Sequence, residues 1–84
     1  MYKVYVLFSV RSNRIYIGYT GNLKQRLLSH NELGKKGWTI NFRPWGLIYQ
    51  EEFETKQYAL KRERELKTAT GRKFIWEIVV KKEC

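Results

Sequence analysis

Tyr16, Arg26 and His30 are residue types that act on phosphate, and their spacing brings them together. Tyr16 opens the tripeptide Tyr16-Ile17-Gly18, while Arg26 and His30 follow at i and i+4 on what reads as a helix. A second tyrosine, Tyr5, lies upstream in a strand-like run. Phosphodiester hydrolysis needs a water in line with the leaving oxygen and a cation where negative charge develops on phosphate. Arg26 offers a permanent charge with forked donors that match phosphate oxygens, and His30 an imidazole that titrates near neutrality.

These side chains need elements to carry them. Tyr2 to Ser9 is rich in Val, Tyr and Phe with apolar residues on both parities, the pattern of a central strand covered on both faces. After the polar turn Arg11-Ser12-Asn13, Arg14 to Tyr19 alternates, Ile15 and Ile17 on one face and Tyr16 and Gly18 on the other. The two runs predict a hairpin. Asn22 is suited to cap a helix from Leu23 to about Leu33, with Leu23 and Leu27 as its buried stripe and Gly34 as its stop. Gly34 to Pro44 reads as an irregular segment suited to binding. A third strand is expected over Trp45 to Phe53, and a helix capped by Thr55 to about Lys67. Phe74 to Val80 has no clear period and is open to helix or strand. The expected fold class is α+β: one domain over residues 1–84, with a small, mainly antiparallel three-stranded sheet flanked by helices.

Composition narrows the partners. The 84 residues carry 17 Lys and Arg against 8 Asp and Glu, a formal charge of +9. Such an excess favours polyanions through counterion release, so nucleic acid is the leading partner and an acidic membrane surface the second. No apolar run has the length of a membrane span, and the first residues lack the pattern of a signal peptide, so a cytoplasmic location is expected. Cys84 is the single cysteine, which excludes an internal disulfide and a cysteine-rich zinc site. The candidate nucleic-acid contacts are Lys24, Lys35, Lys36, Arg43, Arg62, Lys67, Arg72 and Lys73, with Trp38 and Phe42 as candidate stacking groups.

Glu63 is the acid to watch. It stands four residues after Ala59 and three before Leu66, which puts its carboxylate beside the apolar stripe of the second helix. Two readings are open: a surface acid paired with Lys67 at i+4, or a metal ligand. Glu51, Glu52, Glu54 and Glu65 need no special role on spacing alone.

Lys3-Val4-Tyr5, Tyr16-Ile17-Gly18, Arg26, His30 and Glu63, taken in that order, resemble the GIY-YIG nuclease family. The resemblance is to its short single-domain branch, related to the N-terminal nuclease domain of the excision-repair protein that incises damaged DNA. Lys3 and Val4 stand where the name motif has glycine and isoleucine, and no asparagine follows Glu63 as it does in many larger members.

The resemblance implies metal-dependent cleavage of DNA, with Tyr5, Tyr16, Arg26, His30 and Glu63 as the catalytic set. It further implies that Glu63 holds a single Mg²⁺ or Mn²⁺ and that Tyr16 deprotonates or orients the attacking water. Gly18 would leave room for the phosphate to approach the strand. Without an added recognition domain, selection by nucleic-acid shape is expected, in repair or recombination, with a protein partner to supply target choice. DNA is the expected substrate and RNA the alternative. An accessory binding module on the same scaffold is the alternative function, and an interaction protein whose basic charge is incidental is a third.

Overall fold

The computed structural model describes residues 1–33 and 42–83, except for the side chains at 32, 33, 82 and 83. Strand β1 (Tyr2–Ser9) is followed by β2 (Arg14–Thr20), helix α1 (Leu23–Leu28) and a π turn (Ser29–Leu33). Strand β3 (Gly46–Phe53) and helices α2 (Lys56–Leu66) and α3 (Ala69–Glu83) complete the order. The strands form one antiparallel sheet in the order β2-β1-β3. The expected α+β class, the hairpin and the central position of β1 are all present. Asn13 turns the hairpin in the left-handed region, at φ 53, which asparagine tolerates better than most residues.

The pleat of β1 divides the interior. Val4, Val6 and Phe8 point to one face, where Ile15, Ile17, Ala59, Leu66, Ile75 and Val79 close a core beneath α2 and α3. Tyr5 and Leu7 point to the other face and join Trp45, with Tyr16, Leu23, Leu27, Phe42 and Leu47 packed around them. One strand thereby serves two cores, which explains its apolar residues on both parities. The register between β1 and β3 shifts between Val6 and Leu7: Val6 pairs with Tyr49 and Leu7 with Leu47. That bulge lets both Ile48 and Tyr49 pack toward the first core.

Local chemistry sets the helix ends. The Asn22 carboxamide accepts from the Gln25 amide at 3.1 Å, and the Thr55 hydroxyl from the Tyr58 amide at 3.3 Å. The first helix departs from expectation after Leu28, where its last turn widens into the π form. Two side chains hold that turn: Arg43 donates to the carbonyls of Ser29 and His30, and Asn31 bonds the backbone of Trp45. The ambiguous C-terminal segment is helical. Ile75 and Val79, at i and i+4, dip into the first core, a periodicity obscured in the sequence by the exposed Phe74 and Val80. Gly34, Lys35, Lys36 and Trp38 lie outside the described residues.

Where α2 hands over to α3, the backbones are in close contact. A Cβ on Gly71 would lie 2.3 Å from the Glu65 carbonyl oxygen and 2.5 Å from the Leu66 Cα. Backbone cannot yield as a side-chain tip does. Gly71→Ala is therefore expected to destabilise the fold by about 1–3 kcal/mol or more, read as a lower denaturation midpoint with an unchanged urea m-value.

Candidate active site

A cluster of rings forms on the face of the sheet opposite α2 and α3. Tyr5, from the central strand, is completely buried, and its hydroxyl lies 2.9 Å from Nε2 of the buried His30. Tyr16, half-buried on the edge strand, has its ring centroid 4.7 Å from the imidazole and 6.2 Å from that of Tyr5. Trp45 closes the far side, 6.3 Å from Tyr16.

Gly18 explains how two tyrosines fit on adjacent strands. It is the cross-strand partner of Tyr5. A Cβ at Gly18 would come within 2.7 Å of the Tyr5 hydroxyl and 3.1 Å of the Tyr16 ring. The room left by the glycine is thus filled by the Tyr5 phenol, and any side chain there would displace the hydroxyl from His30.

Arg26 ties the pair together from the exposed side of α1. Hydrogen bonding to Tyr5 is the largest influence raising its pKa above the ordinary arginine value. Burial opposes this, and Tyr16 adds a smaller hydrogen-bonded contribution. Burial pushes the Tyr5 phenol up to about 12, against the lowering pull of Arg26; negative charge at Tyr16 and Glu63 adds to the rise. Tyr5 is accordingly a protonated donor at neutral pH. Burial, then the positive charges of Arg26 and Arg43, hold His30 below its ordinary 6.5. A neutral imidazole, an un-ionised phenol and a cation are all satisfied in one arrangement. An un-ionised Tyr5 hydroxyl donating to Nε2 of His30 at 2.9 Å pairs with the Nδ1–H tautomer of the imidazole, and the Arg26 charge acts on the same phenol.

Glu63 lies on the other side of the sheet, on helix α2. Its side chain is only 15% exposed on the inward stripe of α2, between Ala59 and Leu66, as the spacing predicts, and its charge is felt at Tyr5. Lys67 Nζ lies 3.0 Å from Glu63 Oε1, so the i+4 pairing is present too. The two faces meet around the edge of β2, where Tyr16 and Lys67 line one open groove. Among the described residues no group of three or more His, Cys, Asp or Glu could hold a metal ion. A lone carboxylate such as Glu63 would suit only a hard cation that keeps most of its waters and takes further ligands from a phosphate.

The expected nucleic-acid contacts separate into engaged and outward-facing groups. Arg43 is committed to the π-turn carbonyls. Arg62 pairs with Glu51 at 2.9 Å and Glu65 at 3.4 Å, while Tyr49 also donates to Glu51. These arginines hold the fold together, and Glu51 and Glu65 have structural work that spacing alone did not disclose. Phe42 packs beside the second core with the Arg14 guanidinium 4.6 Å from its ring centroid. Lys24, Lys67, Arg72 and Lys73 are exposed. Arg14, beside Tyr16 in the groove, is a cation that sequence reasoning misses, because it opens a strand and resembles ordinary turn polarity.

His30 is the only histidine, so its titration can be followed directly. Its folded pKa lies below the unfolded value of 6.5, so the unfolded chain binds the proton first as pH falls. The stability it contributes is complete above 6.5 and is lost as pH falls through the lower folded pKa. Thermal unfolding from pH 8 to 5 should show a midpoint that declines below about 6.5, a decline that His30→Gln flattens. A proton NMR titration of the wild-type imidazole with a midpoint above 6.5 would contradict the geometry.

Comparison with known proteins supplies the remaining link. The family model described as the GIY-YIG catalytic domain matches residues 1–75. UPF0213 protein SH2523 of Staphylococcus haemolyticus is 41% identical over 69 residues, 81% of this chain and 84% of that relative. UPF0213 protein SSP2268 of Staphylococcus saprophyticus is 38% identical over 74 residues, covering 87% and 90%. The solution NMR structure of UPF0213 protein BH0048 from Bacillus halodurans shares the fold with a TM-score of 0.54 and 27% identity, over 96% of this chain and 86% of that one. With the family match running through both tyrosines, the arginine, the histidine and the glutamate, the chain belongs to the GIY-YIG catalytic domain family and carries that family's endonuclease potential.

Proposed function

We propose that the protein is a divalent-metal-dependent DNA endonuclease that selects its substrate by shape, in repair or recombination in the cytoplasm, with a protein partner for target choice. One observation carries this reading: Tyr5 is fully buried with its hydroxyl against His30, whereas Tyr16, its ring 4.7 Å from the same imidazole, keeps access to solvent. Tyr5 is locked against His30 as a buried donor, so it positions the arginine and the imidazole. Tyr16 is left as the hydroxyl that can touch an attacking water, with the guanidinium beside it to receive phosphate oxygens.

In the proposed reaction Arg26 holds the scissile phosphate through its forked donors and offsets the charge that builds on it. Tyr16 orients the water, whose oxygen bonds to phosphorus as the bond to the leaving oxygen breaks and whose proton passes to solvent, while Tyr5 and His30 hold the Tyr16 ring and the guanidinium in place. Glu63 would hold one Mg²⁺ or Mn²⁺, which supplies charge neutralisation at the leaving oxygen. The Glu63–Lys67 ion pair favours a second reading, a DNA-binding module in which lysine takes the place of the metal and little cleavage occurs.

End-labelled duplex, single-stranded, flap and branched DNAs incubated with Mg²⁺, Mn²⁺ or EDTA distinguish the two. Metal-dependent cleavage is expected on at least one branched or flapped form, with Glu63→Gln and Arg26→Ala each reducing it about 100-fold or more. Tight binding with no cleavage of any DNA in either metal would overturn the nuclease reading and leave the module.

A further inference from the structure

We propose that the groove along the outer edge of β2 is a binding site for the DNA phosphates that flank the scissile bond. Three cations from three separate elements converge there: Arg14 at the start of β2, Lys67 at the end of α2 and Arg72 in the first turns of α3. The groove holds about 380 Å³, and none of the described residues lining it is acidic. The charged side chains that line it are therefore all positive, and the acid Glu63 reaches it only through Lys67. The groove lies open along the sheet edge, the shape that suits a polymer passing through.

Arg72 is held in place for this role. Its Nε donates to the Lys67 carbonyl at 3.2 Å, which fixes the guanidinium plane against the end of α2. Less side-chain freedom is then lost when a phosphate binds. Arg14 is steadied over the Phe42 ring. Trp76, one turn after Arg72, forms the floor, with its ring edge-on to Phe8 at 6.0 Å. The groove also touches the candidate site at both ends of its chemistry. Tyr16 lines it directly, and Lys67 bonds Glu63. A strand whose phosphate sits at Arg26 and Tyr16 would continue into this groove as it rounds the edge of the sheet.

The inference rests on DNA as the partner, and its test is independent of cleavage. Anisotropy titrations of fluorescein-labelled flap and duplex DNA in EDTA, over a series of salt concentrations, would compare Arg14→Gln and Arg72→Gln with Lys61→Gln and Arg64→Gln. The last two remove the same charge from a different face of α2. Each groove variant should weaken binding about 3- to 10-fold at low salt and reduce the slope of log affinity against log salt by about 1. The controls should leave both nearly unchanged. Arg72→Lys, which keeps the charge but gives up the fixed guanidinium, should retain the wild-type slope; melting curves for every variant separate loss of binding from loss of fold. Equal losses in groove and control variants would overturn the site in favour of net charge alone, as would unaltered binding in the groove variants. If the wild type cleaves nothing, the nuclease reading fails while the binding comparison still decides the groove.

Discussion

A phenol with no exposure to solvent, at the centre of the middle strand, is the constraint around which the molecule is arranged. Burying the Tyr5 hydroxyl without partners would cost several kcal/mol on a solvent-transfer scale, so the fold must deliver a partner to it. His30 supplies the hydrogen-bond partner, and Arg26 a positive charge acting on the same phenol. To bring them there, the first helix must start at Asn22 and its last turn must widen, and β2 must carry a glycine opposite the ring. The functional cluster is thus also the polar centre of the second core. A small domain has few residues to spare for a site separate from its structure.

The sheet itself separates the two halves of the site. The tyrosines, arginine and histidine occupy one face; the glutamate belongs to a helix on the other. A pleated strand sends alternate side chains to opposite faces, so β1 and β2 can anchor both halves, but the halves communicate only around the free edge of β2. That edge is left bare among the described residues. An exposed edge strand is ordinarily a hazard for unwanted pairing, and here cations line it, which discourages pairing with another basic chain.

Much of this was legible in the residues. A Val-, Tyr- and Phe-rich run, apolar on both parities, located β1, two-residue alternation located β2, and Asn22 and Thr55 marked helix starts because their side chains replace missing backbone partners. The interval from Ala59 to Glu63 to Leu66 placed an acid on an inward stripe. What escaped were features that depend on contacts between distant segments. Nothing near Ser29 signals a π turn, since its carbonyls are claimed by Arg43 from beyond the intervening segment. Arg43 and Arg62 looked like free cations for the same reason: a sequence shows a charge but not the carbonyl or carboxylate that the fold places against it. The final helix was hidden because its outward positions include Phe74 and Val80, which blur the period of the inward Ile75 and Val79.

The Asn31 carboxamide bonds both the N–H and the C=O of Trp45, at 2.6 and 3.0 Å, and so imitates a strand partner with one side chain. Together with Arg43 on the Ser29 and His30 carbonyls, it clamps the chain on either side of residues 34–41. The geometry of His30 is consequently set by the clamp rather than by the length of what the clamp encloses. Lengthening a segment between fixed ends carries an entropic cost that grows only logarithmically, about 0.6 kcal/mol per doubling. The two flanking contacts therefore let the sequence between them change in length while leaving the imidazole in register.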